Sequence, residues 1–127
     1  MDSGQVESPH KGKTGLRRIW NALFYSFDGF KAAYRHEDAF RQEVWLAVVL
    51  IPLALFLPAS GTGKSLMIAS VVVVLIVELL NSAVEATVDR VSLEHHRLAK
   101  RAKDIGSAAV LLSLINVVVV WLLVLFA

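Results

Sequence analysis

Apolar and polar positions divide the chain into a polar start, one two-faced segment and three apolar runs. Residues 1–15 are rich in Gly, Ser, Lys and His and hold no apolar run. They predict a mobile tail without a cleavable signal peptide. Over residues 16–35, a turn of about 100° per residue puts Leu16, Ile19, Trp20, Leu23, Phe27, Phe30 and Tyr34 on one face. Arg17, Arg18, Asn21, Tyr25 and Asp28 fall on the other. Aromatics opposed to cations predict an amphipathic helix lying in a membrane interface.

Residues 44–57 are apolar but short for a bilayer, which takes about 20 helical residues. The first span is therefore expected over about 37–57, its charged opening turns at headgroup level. Pro, Gly and Ser in residues 58–64 predict a turn. A second span follows over 65–93, apolar as far as Val77 and then studded with polar groups. After a charged link at 94–101, the third span runs over 102–127. The expected fold is all-α and membrane-integral, with the surface helix and three transmembrane helices forming one domain over 16–127.

Charge placement orients these spans. Seven Lys or Arg precede the first apolar run, Lys64 alone lies in the first loop, five lie between Asp89 and Asp104, and none follows. The positive-inside rule puts the N-terminus and second loop in the cytoplasm, and the first loop and C-terminus outside. Composition agrees: 56% of the 127 residues are hydrophobic and 19% charged, with mean hydropathy +0.60. Soluble domains are nearer about 45–50% and about 25%. Disorder, a nucleic-acid-binding domain and, without cysteine, a disulfide-stapled module are excluded. Three spans with little to bury and one polar stripe predict self-association.

The chemistry lies in the second span. Glu78, Asn81, Ser82, Glu85 and Asp89 share one helical face. A carboxylate in an apolar span costs several kcal/mol unless paired, protonated or hydrated. Three acids on one stripe call for cations, and Mg²⁺ held by one or two carboxylates with phosphate oxygens would answer that need. A structural polar seam between helices and ion or proton translocation are the competing readings.

Glu37, Arg41 and Glu43 enter the first span at the same depth, and Lys103, Asp104 and Ser107 open the third. Acids, an amide, a lysine and arginines at one interface suit phosphoryl transfer from a metal–nucleotide. Taken singly, Arg101 and Lys103 read as headgroup anchors. Ser60-Gly61-Thr62-Gly63-Lys64-Ser65 imitates the end of a phosphate-binding loop, but Pro58 stands where that pattern needs Gly and no strand precedes it. His95 and His96 are adjacent, so on a helix they diverge by about 100° and suit a solvated loop. Trp20 and Trp121 read as interface or packing residues, and Asn116 is expected to bond across helices.

The run Glu78-Leu79-Leu80-Asn81-Ser82-Ala83-Val84-Glu85-Ala86-Thr87-Val88-Asp89-Arg90 resembles the signature of the prokaryotic diacylglycerol kinase family. Glu37-Asp38-Ala39-Phe40-Arg41-Gln42-Glu43 and Arg101-Ala102-Lys103-Asp104-Ile105-Gly106-Ser107-Ala108-Ala109-Val110 extend the resemblance, which covers about residues 16–127.

The resemblance implies a homotrimeric, multi-pass enzyme of the bacterial inner membrane with a cytoplasmic active site. It would move the γ-phosphate of Mg-ATP to diacylglycerol, giving phosphatidate for phospholipid recycling. It implies that Glu78 is the general base, that Glu37 and Glu85 hold Mg²⁺ with the nucleotide, and that Asn81, Asp89, Lys103 and Asp104 complete the site. It further implies ATP contacts for Arg18, Tyr25, Glu94 and His96, and positions near the lipid for Ser26, Arg41, Glu43, Ser107 and Trp121, with Arg18 and Glu78 also meeting substrate. A sister branch phosphorylates undecaprenol on the same fold. The stretches at 39–43 and 106–109 resemble the diacylglycerol branch more closely.

Overall fold

The computed structural model describes residues 11–91 and 97–127, and it is helical throughout apart from short connections. Four helices occur among the described residues: α1 (Lys11–His36), α2 (Asp38–Phe56), α3 (Gly61–Val91) and α4 (Arg97–Phe126). The last three are each long and apolar enough to cross a membrane. The chain divides into two compact units between Ala32 and Ala33, each described by itself.

In the first unit, α1 begins before the expected surface helix, so residues 11–15 are helical rather than part of a tail. Residues 1–10 lie outside the described residues, and so does the expectation of a mobile tail there. Trp20 and Phe24 meet edge to face at 5.3 Å, and the Ser26 hydroxyl donates to the Ala22 carbonyl at 2.8 Å. Leu16, Ile19, Trp20, Leu23, Phe27 and Phe30 are exposed.

In the second unit α3 is the central element, packing on α2 along one side and α4 along another. Sequence spacing explains both contacts. Met67, Val71, Val74, Glu78, Asn81, Glu85 and Val88 follow a four-three alternation, and each is buried or half-buried. A stripe with that period stays on one side of a helix and gives a continuous packing seam. On α4, Gly106, Val110, Ser113, Val117, Val120 and Val124 repeat the alternation and are likewise the sheltered positions. The buried residues of α2 are Phe40, Ala47 and Ala54, seven apart.

Three contacts set α3 and α4 antiparallel. Near the start of α3, a side chain on Gly63 would come within 2.8 Å of Val124 Cγ1. Next, Trp121 Nε1 donates to the Met67 carbonyl at 3.2 Å. At the far end Lys103 Nζ pairs with Asp89 Oδ1 at 2.6 Å. Small residues let such helices approach closely where lipid supplies no hydrophobic drive between them.

The turn between α2 and α3 is held locally. Leu57 precedes Pro58, which disfavours helical geometry, and Leu57 is extended at φ −72°, ψ 154°. The Ser60 hydroxyl accepts from the Gly63 N–H at 3.0 Å, an N-cap that satisfies one of the free donors of α3. Lys64 Nζ reaches back to the Leu55 carbonyl at 2.7 Å, closing the last turn of α2. The Ser-Gly-Thr-Gly-Lys-Ser run is thus a cap, a close approach and a helix clamp. Pro52 inside α2 removes one backbone bond, which membrane helices tolerate.

Ser60→Ala should lower stability by about 1 kcal/mol through loss of the cap, and Ser60→Asp should retain it. Unfolding of the detergent-solubilised protein followed by circular dichroism tests this.

Candidate functional site

The stripe predicted on the second span continues the packing seam of α3, and its chemistry changes at Glu78. Up to Val74 the seam is apolar or small; from Glu78 onward it presents a carboxylate, an amide and a second carboxylate. α3 is about 46 Å long at 1.5 Å per residue, well beyond the about 30 Å of a hydrocarbon core. Its polar end can therefore rise out of the apolar slab while staying packed against neighbours.

Glu78 is the focus. Only 4% of it is exposed, and it makes no hydrogen bond or ion pair among the described residues. The other buried polar side chains described there are self-satisfied: Ser70 donates to the Met67 carbonyl at 2.7 Å and Ser113 to that of Val110 at 2.7 Å. Glu43, Glu37 and Glu85 stand close enough to Glu78 to repel its charge. Two of these come from α2. Glu37 is the N-cap residue of α2, at φ −118°, ψ 108°, yet its side chain makes no capping bond. Glu37 and Glu43 flank the α2 face that buries Phe40 and Ala47, which carries both toward α3.

Asn81, one turn on, is pressed against α4. Its Oδ1 is buried without a hydrogen-bond donor, while its Nδ2 lies 3.4 Å from Glu85 Oε2. Gly106 of α4 sits directly opposite, and any side chain there would collide with Asn81 Oδ1. An orphaned acceptor beside a glycine means that α4 comes close enough to exclude a partner for the amide oxygen. At the outer end the Lys103–Asp89 pair joins the two helices, with both side chains part-exposed. Glu85 also acts on Lys103, so Lys103 is a cation set against this end of α3. Asp104 points elsewhere and pairs with Lys100 at 2.7 Å.

The structure therefore brings Glu37, Glu43, Glu78, Asn81, Glu85, Asp89 and Lys103 to one end of the second unit. Ser107, beside Gly106, is exposed on α4. Arg41 is spent locally: it pairs with Asp38, donates to the Tyr34 carbonyl at 2.5 Å and lies 5.8 Å from the Tyr34 ring centroid. Trp45 Nε1 donates to the Tyr34 hydroxyl at 3.1 Å, tying the same corner. Trp121 is not part of the cluster. Its bond to Met67 puts it about 16 Å along α3 from Glu78.

Arg18, Tyr25 and Ser26 lie on α1 in the first unit and are exposed there. Glu94, His95 and His96 lie outside the described residues. Asn116 has no cross-helix bond: it is exposed on α4 with no hydrogen-bond partner among the described residues. Gly106 and the Tyr34–Asp38–Trp45 corner carry no predicted role. Gly106 had a signal, a lone glycine one turn from Lys103. The corner had none, because its bonds form only once α1 ends at His36.

No group of three His, Cys, Asp or Glu converges closely enough to hold a metal ion among the described residues. The candidate donors are nonetheless hard oxygens, the carboxylates of uncapped Glu37 and of Glu85. That set fits a divalent cation such as Mg²⁺, which keeps water and phosphate oxygens and takes one or two carboxylates.

Similarity to known proteins coincides with this core. Residues 24–125 match the prokaryotic diacylglycerol kinase family. The chain is 60% identical over 114 residues to the diacylglycerol kinase of Pseudomonas aeruginosa, covering 90% of this chain and 93% of that protein. It is 46% identical over 114 residues to that of Escherichia coli, again 90% and 93%. With that of Helicobacter pylori it shares 45% identity over 115 residues, 91% and 89%.

The close approach at Gly106 makes a stability prediction. Gly106→Ala should destabilise by about 1–3 kcal/mol through overpacking, and most of that loss should vanish in an Asn81→Ala background. Thermal unfolding of the single and double variants provides the check.

Proposed function

The chain belongs to the prokaryotic diacylglycerol kinase family, and from that premise we propose that it transfers the γ-phosphate of ATP to the hydroxyl of diacylglycerol, giving phosphatidate. The observation that carries the reading in this chain is Glu78. A carboxylate held 4% exposed, without a cation and facing three other acids, is expensive to keep for structure alone. It suits a site that is completed by its substrates.

Glu78 serves as the general base. As the acceptor oxygen bonds to the γ-phosphorus and the bond to the β-phosphate oxygen breaks, the hydroxyl proton passes to the Glu78 carboxylate and ADP leaves. Asn81 orients the reacting groups through its amide, and Lys103, paired with Asp89, offers positive charge to the transferring phosphoryl group. Glu37 and Glu85 would hold Mg²⁺ with the nucleotide, and when bound it neutralises phosphate charge. Asp104, Arg18, Tyr25, Glu94 and His96 contribute to the nucleotide side. Ser26, Arg41, Glu43, Ser107 and Trp121 belong with the lipid.

The lipid hydroxyl sits at the membrane interface, where α3 passes from apolar to acidic. α1 lies as an amphipathic surface helix on the cytoplasmic side, with the N-terminus and active site in the cytoplasm and the C-terminus outward. The host membrane is the bacterial inner membrane. Three copies associate, as the family resemblance implies, and the spans of one chain leave surface for it: in the most apolar stretch of α4 only 6% of residues are buried.

Reconstituted protein with Mg-ATP should phosphorylate diacylglycerol, and Glu78→Gln should reduce the rate by about 10²–10⁴-fold while keeping its helical content and assembly size. Product formed from undecaprenol alone would reassign the acceptor, and neither product from a folded assembly would overturn the reading. Separately, Mn²⁺ with a non-hydrolysable ATP analogue should give a bound-ion electron paramagnetic resonance signal. Glu37→Gln with Glu85→Gln should weaken that signal by at least about tenfold.

A further inference from the structure

The corner where α1 ends and α2 begins is densely tied, and no step of the phosphoryl transfer uses those ties. From Lys11 to Phe56, Glu37 is the one residue outside a helix. Its N–H still donates to the Ala33 carbonyl at 2.9 Å, and its carbonyl accepts from the Arg41 N–H at 3.1 Å. Both helices therefore bond to Glu37, and the turn between residues 33–36 and α2 is made at its extended φ −118°, ψ 108°.

Four side chains bridge this break, at positions 34, 38, 41 and 45. Trp45 Nε1 donates to the Tyr34 hydroxyl at 3.1 Å, across eleven residues. Arg41 Nη1 donates to the Tyr34 carbonyl at 2.5 Å and to the Arg35 carbonyl at 3.3 Å, which closes carbonyls that a helix end leaves free. Its guanidinium also pairs with Asp38 and lies 5.8 Å from the Tyr34 ring centroid. The row one residue earlier, Ala33, Glu37, Phe40 and Val44, is buried or half-buried. The ties thus run along the flank of the sheltered row in which Glu37 stands.

Glu37 has no such tie of its own. Its side chain makes no capping bond, so the direction of its carboxylate depends on how firmly the backbone on either side is held. On the assignment of Glu37 to the metal in the kinase reading, on which this inference rests, we propose that Tyr34 and Trp45 are positioning residues. Their hydrogen bond restricts the hinge and keeps the Glu37 carboxylate toward α3 for the divalent cation and nucleotide. A simple anchoring role would turn the polar tips of an interfacial Tyr and Trp to the headgroups, whereas here the tips are turned on each other. Nor does the bond serve packing, because Tyr34 is 37% and Trp45 61% exposed. One bond between exposed side chains adds little to stability. At a hinge it matters more, since a displacement of about 1 Å at a site can cost a large part of its rate.

Tyr34→Phe and Trp45→Phe each delete one end of the hydrogen bond and keep an aromatic ring. Hydrogen–deuterium exchange of the detergent-solubilised protein reads the hinge directly, with no substrate present. Amides of residues 33–41 should exchange roughly fivefold faster in either variant, and no faster in the double variant than in the singles. Exchange in α3 and α4 should be unchanged. With a non-hydrolysable ATP analogue, Mn²⁺ affinity read by electron paramagnetic resonance should fall roughly fivefold in each variant. In a Glu37→Gln background Tyr34→Phe should lower it no further. At saturating Mg²⁺ and ATP, kcat should stay within about twofold of that of the unaltered chain, while half-saturating Mg²⁺ rises roughly fivefold.

Unchanged exchange at residues 33–41 would overturn the hinge. Faster exchange with Mn²⁺ affinity intact, or a further loss from Tyr34→Phe when Glu37 is already Gln, would overturn its action through Glu37. A Glu37→Gln chain that binds Mn²⁺ as the unaltered chain does would sink the metal reading of Glu37, and the positioning role with it, whatever the exchange shows.

Discussion

The burial of Glu78 is the constraint around which the rest of the second unit is arranged. An ionised carboxylate removed from water and left without a partner costs several kcal/mol, and here Glu37, Glu43 and Glu85 add repulsion to that cost. Nothing in the α3 and α4 seams repays that cost at this position. The repayment comes from the other half of the same seam, where Met67, Val71 and Val74 are packed almost without exposure. α3 can hold an acid in its seam because it is long and supported on two sides. α2 brings two of the repelling acids, and α4 brings Gly106 and Lys103.

Electrostatic incompleteness is what ties this fold to its chemistry. In the described residues, Glu37, Glu43 and Glu85 each repel the charge of Glu78, while Lys103 pairs with Asp89 and is also attracted by Glu85. The Asn81 amide oxygen is buried unpaired. Positive charge brought by a metal–nucleotide would relieve the excess of acids, whereas the Asn81 oxygen stays covered by α4. Substrate binding would then release strain at the reacting groups, and that energy is spent where the charge develops.

Much of this was legible in the residue order, because helical periodicity is local. The three spans follow from apolar runs, and the Glu78–Asn81–Glu85–Asp89 stripe follows from spacing. Boundaries were less so: α1 starts at Lys11 and α3 at Gly61. In the second case a serine cap and a close-packed glycine override the usual meaning of Gly and Ser as turn formers. Contacts between distant residues were not legible at all. Nothing in the spacing says that Trp121 bonds to Met67 rather than lying near the acidic cluster, or that Arg41 closes the end of α1. Those depend on antiparallel register and on where one helix stops. Asn116 shows the converse, since a polar residue in an apolar span invites a cross-helix bond, yet it is exposed on α4 with no partner among the described residues.

The α3·α4 seam divides stability from function along its length. At one end Gly63, Val124, Trp121 and Met67 form a dense contact held by packing and one satisfied hydrogen bond. At the other, Asn81, Gly106, Asp89 and Lys103 form a contact no looser in approach but poor in satisfied bonds. A single continuous helix transmits the register set at the first end to the second, because rotating α3 by one seam position would move every residue in it. The apolar end therefore determines how Asn81 and Glu78 are presented, although it contains no chemistry of its own. Packing so placed can hold the acids in unfavourable company without any ion pair at Glu78, whereas a counter-ion built into the chain would have stabilised the fold and removed the unsatisfied charge on which the proposed reaction draws.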